Sequence, residues 1–391
     1  MFWACRGRSE MDRPLQGIRV VALEQAVAGP FCSRQLADMG ADVIKVERPD
    51  GGDFARSYDS VIAGQSAYFV WLNRGKRSIA LDLKSPDGKA ILAQLAARAD
   101  VLLHNLAPGA VERLGFGYEA IAVTHPRLVW CGISGYGPDG PYRDRKAYDM
   151  LVQGEAGIMG ITGTHDAPAK AGVSMADIAS GLYAYSSILA ALLQREHSGQ
   201  GQRIDISMLE CLTEWMMPPL YTWLGTGRAP ARAGARHNMI VPYGVYRCAD
   251  GAVNFSIQNE REWVRFCESV MADVALAMDS RFSTIPARLG NRDLLEPLIE
   301  ARFSELSRAQ LLELLDSAGI ANGAVNDVPA VANHPQLAAR GRWVTAETPA
   351  GPVPALLAPH NLASAPAAMG RVPALGEHTA EILAELNRSL D

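Results

Sequence analysis

Paired cysteines are missing from this sequence. Cys5, Cys32, Cys131, Cys211, Cys248 and Cys267 never form a Cys-x-x-Cys motif, which argues against a redox dithiol or a zinc ribbon and for scattered reduced thiols in a cytoplasmic protein. The 8 histidines contain no His-Glu-x-x-His or comparable spacing, so no metal site is expected. A basic excess is missing too. The formal net charge is -5, where a nucleic-acid partner would leave a strongly positive balance. No apolar run reads as a membrane span, and no membrane partner is expected. The N-terminal Met1-Phe2-Trp3-Ala4-Cys5-Arg6-Gly7-Arg8 has too short an apolar stretch for a secretory signal. Residues 1–11 read as an extension, with Met11 as an alternative start. The sequence contains neither an internal repeat nor a low-complexity tract. What remains is ordinary globular composition, with 48% hydrophobic and 20% charged residues in a chain of 391, long enough for two domains.

The first half alternates strand-like and helix-like segments. Ile18–Leu23, Ala41–Val46, Asp100–His104 and Arg127–Ile133 are short β-branched or apolar runs. Phe31–Met39, Gly88–Ala97 and Tyr118–Val123 read as helices between them. This rhythm predicts an α/β protein whose large domain is a Rossmann-like, doubly wound parallel sheet. After Met216 the pattern changes. Pro218 and Pro219 stop a helix begun near Met208, and Gly225–Asn238 is rich in Gly, Ala, Pro and Arg. A hairpin over Gly244–Cys248 and Ala252–Ser256, followed by helices over 262–270, 293–303 and 308–318, predicts a smaller α+β domain. The expected division is 12–216 for the first part of the large domain, 217–240 for a linker, 241–330 for the small domain, and 331–391 for a return linker and the rest of the large domain. Ala346–Pro366, rich in Pro and Ala, reads as a surface-crossing segment, and Glu377–Leu390 as a terminal amphipathic helix.

Asp177 draws notice by its position. Ile178, Leu182, Tyr185, Leu189 and Leu192 follow it at helical spacing, with small Ala179, Ser180, Gly181 and Ala184 between them. A carboxylate opening that helix can simply cap it. It can also be held ionised by the electropositive helix start and act as a nucleophile. Gly135-Tyr136-Gly137-Pro138-Asp139-Gly140 matches a dinucleotide fingerprint. Pro138 and Pro141 break the helix which that fingerprint requires, so nicotinamide cofactors are not expected. Lys45, Arg48 and Arg56 cluster after the second strand, at the edge where such sheets bind ligands. With Lys84, Arg113 and Lys146 they suit a phosphorylated ligand, although each taken singly also reads as a solvated surface charge.

Five ordered blocks carry a resemblance. The first runs from Gly17-Ile18-Arg19-Val20-Val21-Ala22-Leu23 through Ala28-Gly29-Pro30 and Leu36-Ala37-Asp38-Met39-Gly40-Ala41-Asp42-Val43-Ile44-Lys45-Val46-Glu47-Arg48-Pro49 to Gly52-Asp53 and Arg56. Asn73-Arg74-Gly75-Lys76-Arg77, Asn105-Leu106-Ala107-Pro108-Gly109 with Arg113-Leu114-Gly115, Ser134-Gly135-Tyr136-Gly137 and Leu375-Gly376-Glu377-His378-Thr379 follow. From Leu15 to Leu386 the chain resembles the family III coenzyme A transferases, which include formyl-CoA transferase and carnitine CoA-transferase and to which the 2-methylacyl-CoA racemases are related.

The resemblance implies that Asp177 is the catalytic aspartate. It implies that Arg48, Asn105, Arg113 and Lys146 contact coenzyme A, and that Gln25 and Ala28 line the mouth of the active site. It further implies an interlocked, ring-like homodimer. Coenzyme A and a small organic acid enter as substrates, with no permanently bound cofactor. Departures from the family pattern bear on the substrate. The glycine run of formyl-CoA transferase is replaced by Arg236-His237-Asn238-Met239-Ile240-Val241-Pro242-Tyr243-Gly244, and Val27 stands where that enzyme has Gln; both argue against oxalate or formate. The racemases' His-Asp pair is Tyr148-Asp149 here, and a phenol is a poor proton-transfer base. Ala171-Gly172-Val173-Ser174 and Met208–Tyr221 resemble members acting on C4 and C5 dicarboxylates such as mesaconate, itaconate and citramalate. A dicarboxylate needs a partner for its far end; Arg228, Arg232, Arg236 and His237 are candidate cations, and Tyr148 and Tyr243 further substrate contacts. The expected activity is CoA transfer to such an acid. A 2-methylacyl-CoA racemase and a non-catalytic CoA-binding protein stand as alternatives.

Overall fold

The protein is described by a computed structural model covering residues 13–365 and 367–388. Cys5 and the expected extension over residues 1–11 lie outside the described residues. Contacts divide the chain into two compact units. One comprises Met1–Ala156, Gly172–Trp215 and Gln336–Asp391, and the other Gly157–Ala171 and Met216–Pro335. Residues 157–171, read from sequence as part of the large domain, pack with the second unit.

In the first unit, β1 (Arg19–Leu23), β2 (Asp42–Glu47), β3 (Lys76–Ala80), β4 (Val101–His104), β5 (Val129–Ser134) and β6 (Arg203–Ser207) form one sheet in the order β3-β2-β1-β4-β5-β6. Every pairing is parallel. A parallel sheet covered on both faces calls for strands that are apolar on both sides. Val20, Val21, Ala22, Ile44, Leu102 and Leu103 answer that demand, each with no measurable exposure, and burial of a Leu or Ile of this kind contributes about 1.5–3 kcal/mol.

The helices of this unit include α1 (Ala28–Asp38), α2 (Ala67–Asn73), α3 (Pro86–Ala97), α4 (Ala110–Leu114), α5 (Tyr118–Ala122) and α6 (Asp149–Glu155), and a C-terminal helix over Thr379–Asn387. After α7 (Ile158–Ile161), which belongs to the second unit, come α8 (Met175–Ser198) and α9 (Met208–Trp215). Strand order reverses between β1 and β4, so the loops after them diverge and leave a cleft at the carboxyl edge. β3 and β6 escaped the sequence reading: Lys76–Ala80 and Arg203–Ser207 carry too many polar residues to read as buried strands. The segment expected to cross the surface instead forms an antiparallel hairpin, Trp343–Thr348 with Gly351–Leu356. Alternation explains it, because Ala346, Thr348 and Val353 face inward while Pro352 and Pro354 point out.

α8 is 24 residues long and apolar enough by composition to cross a membrane, contrary to the sequence reading. Its buried face, with Ala176, Ala179, Ala184, Ile188 and Leu192, packs instead against α1 and β5 as a core helix does. A Cβ at Gly181 would stand 2.7 Å from the Ala28 carbonyl oxygen and 3.1 Å from Phe31, so only glycine allows this approach. One turn further along, the Tyr185 ring lies 5.6 Å from that of His360, which bonds the Gln35 side chain at 2.8 Å. The contacts advance together along both helices. α1 and α8 therefore run in the same sense with their N-termini side by side.

The second unit holds an antiparallel sheet of Tyr243–Cys248, Gly251–Ser256 and Asn322–Gly323. Helices over Arg292–Ser304 and Arg308–Ser317 pack on it around Tyr246, Phe255, Trp263, Phe266, Phe303 and Leu311. Within the span expected as a linker lies a helix, α10 (Met217–Thr226). Pro218 and Pro219 occupy its first turn, where a missing N–H costs nothing, so these prolines open a helix as well as ending one.

Candidate active site

Asp177 sits in the first turn of α8 and is half-buried. No side chain among the described residues hydrogen-bonds its carboxyl group. The expectation that α8's own N-terminus would hold it ionised is not met, because another carboxylate takes that place. Asp149 Oδ1, at the start of α6, accepts from the Ala176 N–H at 2.7 Å and the Asp177 N–H at 3.3 Å. Its Oδ2 accepts from Gln153 Nε2 at 2.7 Å. Burial, and then the charge of Asp149, push the Asp177 carboxyl up from an ordinary 3.8 to about 7. The result is a basic carboxylate, a better nucleophile once ionised than a fully stabilised one.

The sign of the pH dependence follows. A nucleophilic Asp177 must be ionised, so turnover falls as the pH drops through about 7, tenfold per unit at the limit. The folded form holds this proton more tightly than the unfolded chain, so stability from this group is present below about 4 and is lost as the pH rises to about 7. Asp149→Asn keeps an oxygen for the helix amides and removes the charge. The acid limb of the pH–rate profile then moves to lower pH while remaining above the ordinary carboxylate range, because burial persists. An unmoved limb in this variant contradicts the assignment.

Beside Asp177 runs the loop after β1, Glu24-Gln25-Ala26-Val27. α8 rises about 5.4 Å per turn, and Asp177 is one turn before Gly181, the residue that touches Ala28. Ala26 adopts φ 61°, the left-handed region that side chains disfavour. The turn is clamped on every side. Asn105 Oδ1 accepts from the Gln25 N–H at 2.9 Å, and Asn105 Nδ2 donates to the Gln25 carbonyl at 2.8 Å. Asp53 Oδ1 accepts from the Ala26 N–H at 3.0 Å. The Glu24 side chain is buried and anchored by Lys76 at 2.7 Å, Lys45 at 3.3 Å and the Ser33 hydroxyl at 2.6 Å. After this turn α1 begins with no side-chain cap. Pro30 lacks an N–H, so the Ala28 and Gly29 amides are the donors α1 presents at its start.

Next to this loop a cavity of about 510 Å³ opens at the carboxyl edge of the sheet. Its floor is apolar, with Leu23, Val46, Leu81, Leu83, Leu106 and Leu114; Gln25, Arg48, Asp50 and Lys84 line it with polar groups. Arg48 is exposed and donates through Nε to the Gly52 carbonyl at 3.1 Å, leaving the rest of its guanidinium to a ligand. Two members of the expected basic cluster are not available. Lys45 is fully buried and ion-paired with Asp53 at 2.8 Å and with Glu24. Arg56 is held bidentate by Glu47. Lys45 lies inside β2 and in the core, and Arg56 lies in a turn beyond it beside Glu47, so of the three cations only Arg48 lines the cavity.

Of the other residues singled out from sequence, Asn105 spends its amide clamping Gln25, and Ala28 is buried at the α1 start. Arg113 is exposed with its guanidinium 3.4 Å from the Pro108 carbonyl, and Lys146 is exposed; neither lines the cavity. Tyr148 is exposed. It and Asp177 both act on Tyr58, whose hydroxyl is pushed up to about 12 by burial and then by Asp53, Asp177 and Tyr148. Tyr58 thus stands near the site without any sequence signal.

Arg236, His237 and Tyr243 belong to the second unit. Arg236 pairs with Glu296 and Glu300. Arg232 donates to the carbonyls of Thr164 and His165. His237 accepts the Met239 and Ile240 amides on Nδ1 and stacks on Tyr243 at 5.1 Å; burial and then Arg292 lower its pKa, so it is neutral. These groups organise their own loop and are not free cations for an acid. A sequence shows their charge but not the partners that consume it.

Comparison with known proteins gives the family. Residues 15–379 match CoA-transferase family III. The chain is 38% identical over 383 residues to the succinate–glutarate CoA-transferase of Agrobacterium fabrum, covering 95% of this chain and 96% of that one. It is 38% identical over 333 residues to the acetyl-CoA:oxalate CoA-transferase of Acetobacter aceti, covering 85% of each. The solved structure of a CAIB/BAIF family protein from Brucella suis superimposes with a TM-score of 0.83 at 37% identity, covering 96% of this chain and 100% of that one. The chain belongs to CoA-transferase family III, and it is an enzyme of that family.

Proposed function

We propose that the enzyme moves coenzyme A from an acyl-CoA donor to a C4 or C5 dicarboxylate, with Asp177 as nucleophile. The observation that carries this reading is a basic, half-buried carboxyl group with no side-chain partner beside an uncapped helix start. The Asp177 carboxylate attacks the donor thioester carbonyl and expels CoA thiolate, leaving a mixed anhydride. The thiolate attacks the aspartyl carbonyl, which releases the donor acid and leaves an aspartyl-CoA thioester. The acceptor carboxylate then attacks that thioester, forming a second anhydride and freeing the thiolate. Attack of the thiolate on the acceptor's carbonyl yields the new acyl-CoA and restores Asp177. In the second and third steps, where charge develops on the aspartyl carbonyl, the oxyanion meets the Ala28 and Gly29 amides.

Relatives support a dicarboxylate. Besides the succinate–glutarate enzyme, a succinyl-CoA:glutarate CoA-transferase of Mus musculus is 35% identical over 397 residues. A succinyl-CoA–D-citramalate CoA-transferase of Chloroflexus aurantiacus is 33% identical over 378 residues. The hydroxyls of Tyr58 and Tyr148 are the donors near Asp177 suited to the far carboxylate. The enzyme is a homodimer in this reading, supported by α10, which buries none of its residues and exposes Tyr221, Trp223 and Leu224. Free thiols at Cys32, Cys131, Cys211, Cys248 and Cys267 suit a reducing, cytoplasmic setting.

The test is incubation with succinyl-CoA and a panel of glutarate, citramalate, itaconate, oxalate and acetate, with new thioesters identified by mass spectrometry. A five-carbon dicarboxylyl-CoA is the expected main product. Oxalyl-CoA alone removes the C4 or C5 dicarboxylate reading. Solvent deuterium entering the carbon beside the thioester, without acid exchange, favours the racemase. In the same assay Arg48→Ala raises KM for the acyl-CoA by roughly tenfold to a hundredfold, the worth of a charged contact, with kcat little changed. A loss confined to kcat contradicts a binding role for Arg48.

A further inference from the structure

Below the β1–α1 loop lies a buried polar cluster that the transfer chemistry does not use. Glu24, Lys45, Asp53 and Lys76 are each at most 3% exposed, and Glu47 4%. Asp53 is its hub. Oδ2 meets Lys45 Nζ at 2.8 Å, while Oδ1 accepts from both the Ala26 N–H at 3.0 Å and the Ala55 N–H at 2.9 Å. The Asp53 backbone N–H is itself fixed by Glu47 Oε2 at 3.0 Å. This carboxylate therefore cannot move without dragging the network. It grips the one residue of the loop, Ala26, whose backbone is strained. A left-handed alanine costs about 1–2 kcal/mol and persists only where the surroundings over-determine it.

We propose that Asp53, held by Lys45, is a positioning residue for CoA transfer. By fixing Ala26 in its left-handed turn it aims the Ala28 and Gly29 amides of α1 at the aspartyl carbonyl of Asp177. The physical argument is the direction of the chain. A non-glycine residue released from φ 61° relaxes to negative φ, which swings the peptide planes that follow it. The Ala28 and Gly29 amides would then turn away from Asp177, although Gly181 still holds the Ala28 carbonyl and Phe31 against α8. Nothing in Asp53 touches the reacting atoms; its effect passes through one hydrogen bond. The inference rests on Asp177 being the nucleophile.

The experiment compares wild type with Asp53→Ala, Asp53→Asn, Ala26→Gly and Ala26→Val, all on the full-length protein. The readouts are acyl-CoA affinity, kcat, and the single-turnover rate at which the peptide carrying Asp177 gains CoA mass. Asp53→Ala lowers kcat and the labelling rate by about a hundredfold, the worth of an oxyanion donor, with affinity within threefold. Asp53→Asn retains an acceptor oxygen and recovers most of the rate. Ala26→Gly, which accepts positive φ freely, stays near wild type. Ala26→Val, β-branched and ill suited there, falls with Asp53→Ala and keeps the test alive if that variant does not fold. Labelling of Asp53→Ala or Ala26→Val at the wild-type rate overturns the positioning role alone. Absence of label from the Asp177 peptide in wild type overturns the nucleophile, and the positioning role with it. A loss of affinity equal to the loss of rate also overturns the proposal, because a merely structural defect affects both.

Discussion

Asp177→Asn is expected to abolish transfer, by on the order of 10⁴-fold or more, while acyl-CoA binds within a few-fold of wild type. The amide has the same shape and cannot attack a thioester, and losing a nucleophile outright is among the largest single losses enzymes show. Folding should not suffer. The wild-type carboxyl is pushed up to about 7 because burial and Asp149 disfavour its charge, so a neutral amide removes a repulsion. Unfolding in urea should give a midpoint equal to or above that of wild type near neutral pH. Mapping the digested enzyme after mixing with acyl-CoA should place the CoA adduct on the Asp177 peptide in wild type and nowhere in the variant. Transfer at the wild-type rate by this variant takes Asp177 out of the mechanism.

The second large effect is on stability, and it comes from Glu24. Its carboxylate faces Lys76 at 2.7 Å and Lys45 at 3.3 Å, all three buried. Against the burial that opposes its charge, those lysines hold Glu24 below the usual carboxylate range. Burial pulls Lys76 down to about 8 even with Glu24 present. In Glu24→Ala, Lys45 keeps Asp53. Lys76 is left with the Pro30 carbonyl and the Asn73 side-chain oxygen, both neutral. Breaking one side of a buried ion pair costs about 3–5 kcal/mol, and urea unfolding at neutral pH should read a loss in that range. The loss should shrink as the pH rises, because without its counter-charge the Lys76 amine is neutral in the folded state. A loss below about 1 kcal/mol, the size of an exposed pair, would mean that the network contributes no more than surface ions do.

In the proposed mechanism the basicity of Asp177 comes from its surroundings. The helix amides that would have lowered the basicity of Asp177 are occupied by Asp149. The neighbouring α1 start is left without a cap. One helix terminus is filled and the other uncapped, so in the proposed mechanism the stabilising donors act on the carbonyl oxygen that develops charge and not on the ground-state carboxylate. That is differential stabilisation of the transition state.

Much of this protein was fixed by its sequence. The repeated short apolar runs set a parallel α/β sheet, because strands buried on both faces must be apolar throughout. The ordered blocks from Gly17 to Thr379 identified the family, and small residues around Gly181 left room for α1 to approach α8. Other features came only with the tertiary structure. Asp177 was legible as a carboxylate opening a helix, yet its basicity depends on burial and then on Asp149 arriving from another helix. Lys45, Arg56, Arg232 and Arg236 looked alike as free cations; carboxylates and carbonyls brought to them by folding take their charge or their donors. Ala26 carries no turn signal at all, and it is held left-handed by Asp53, 27 residues away. Periodicity is a local property and survives in the sequence. The environment of a charge is the sum of everything folded around it, and only the folded chain supplies that sum.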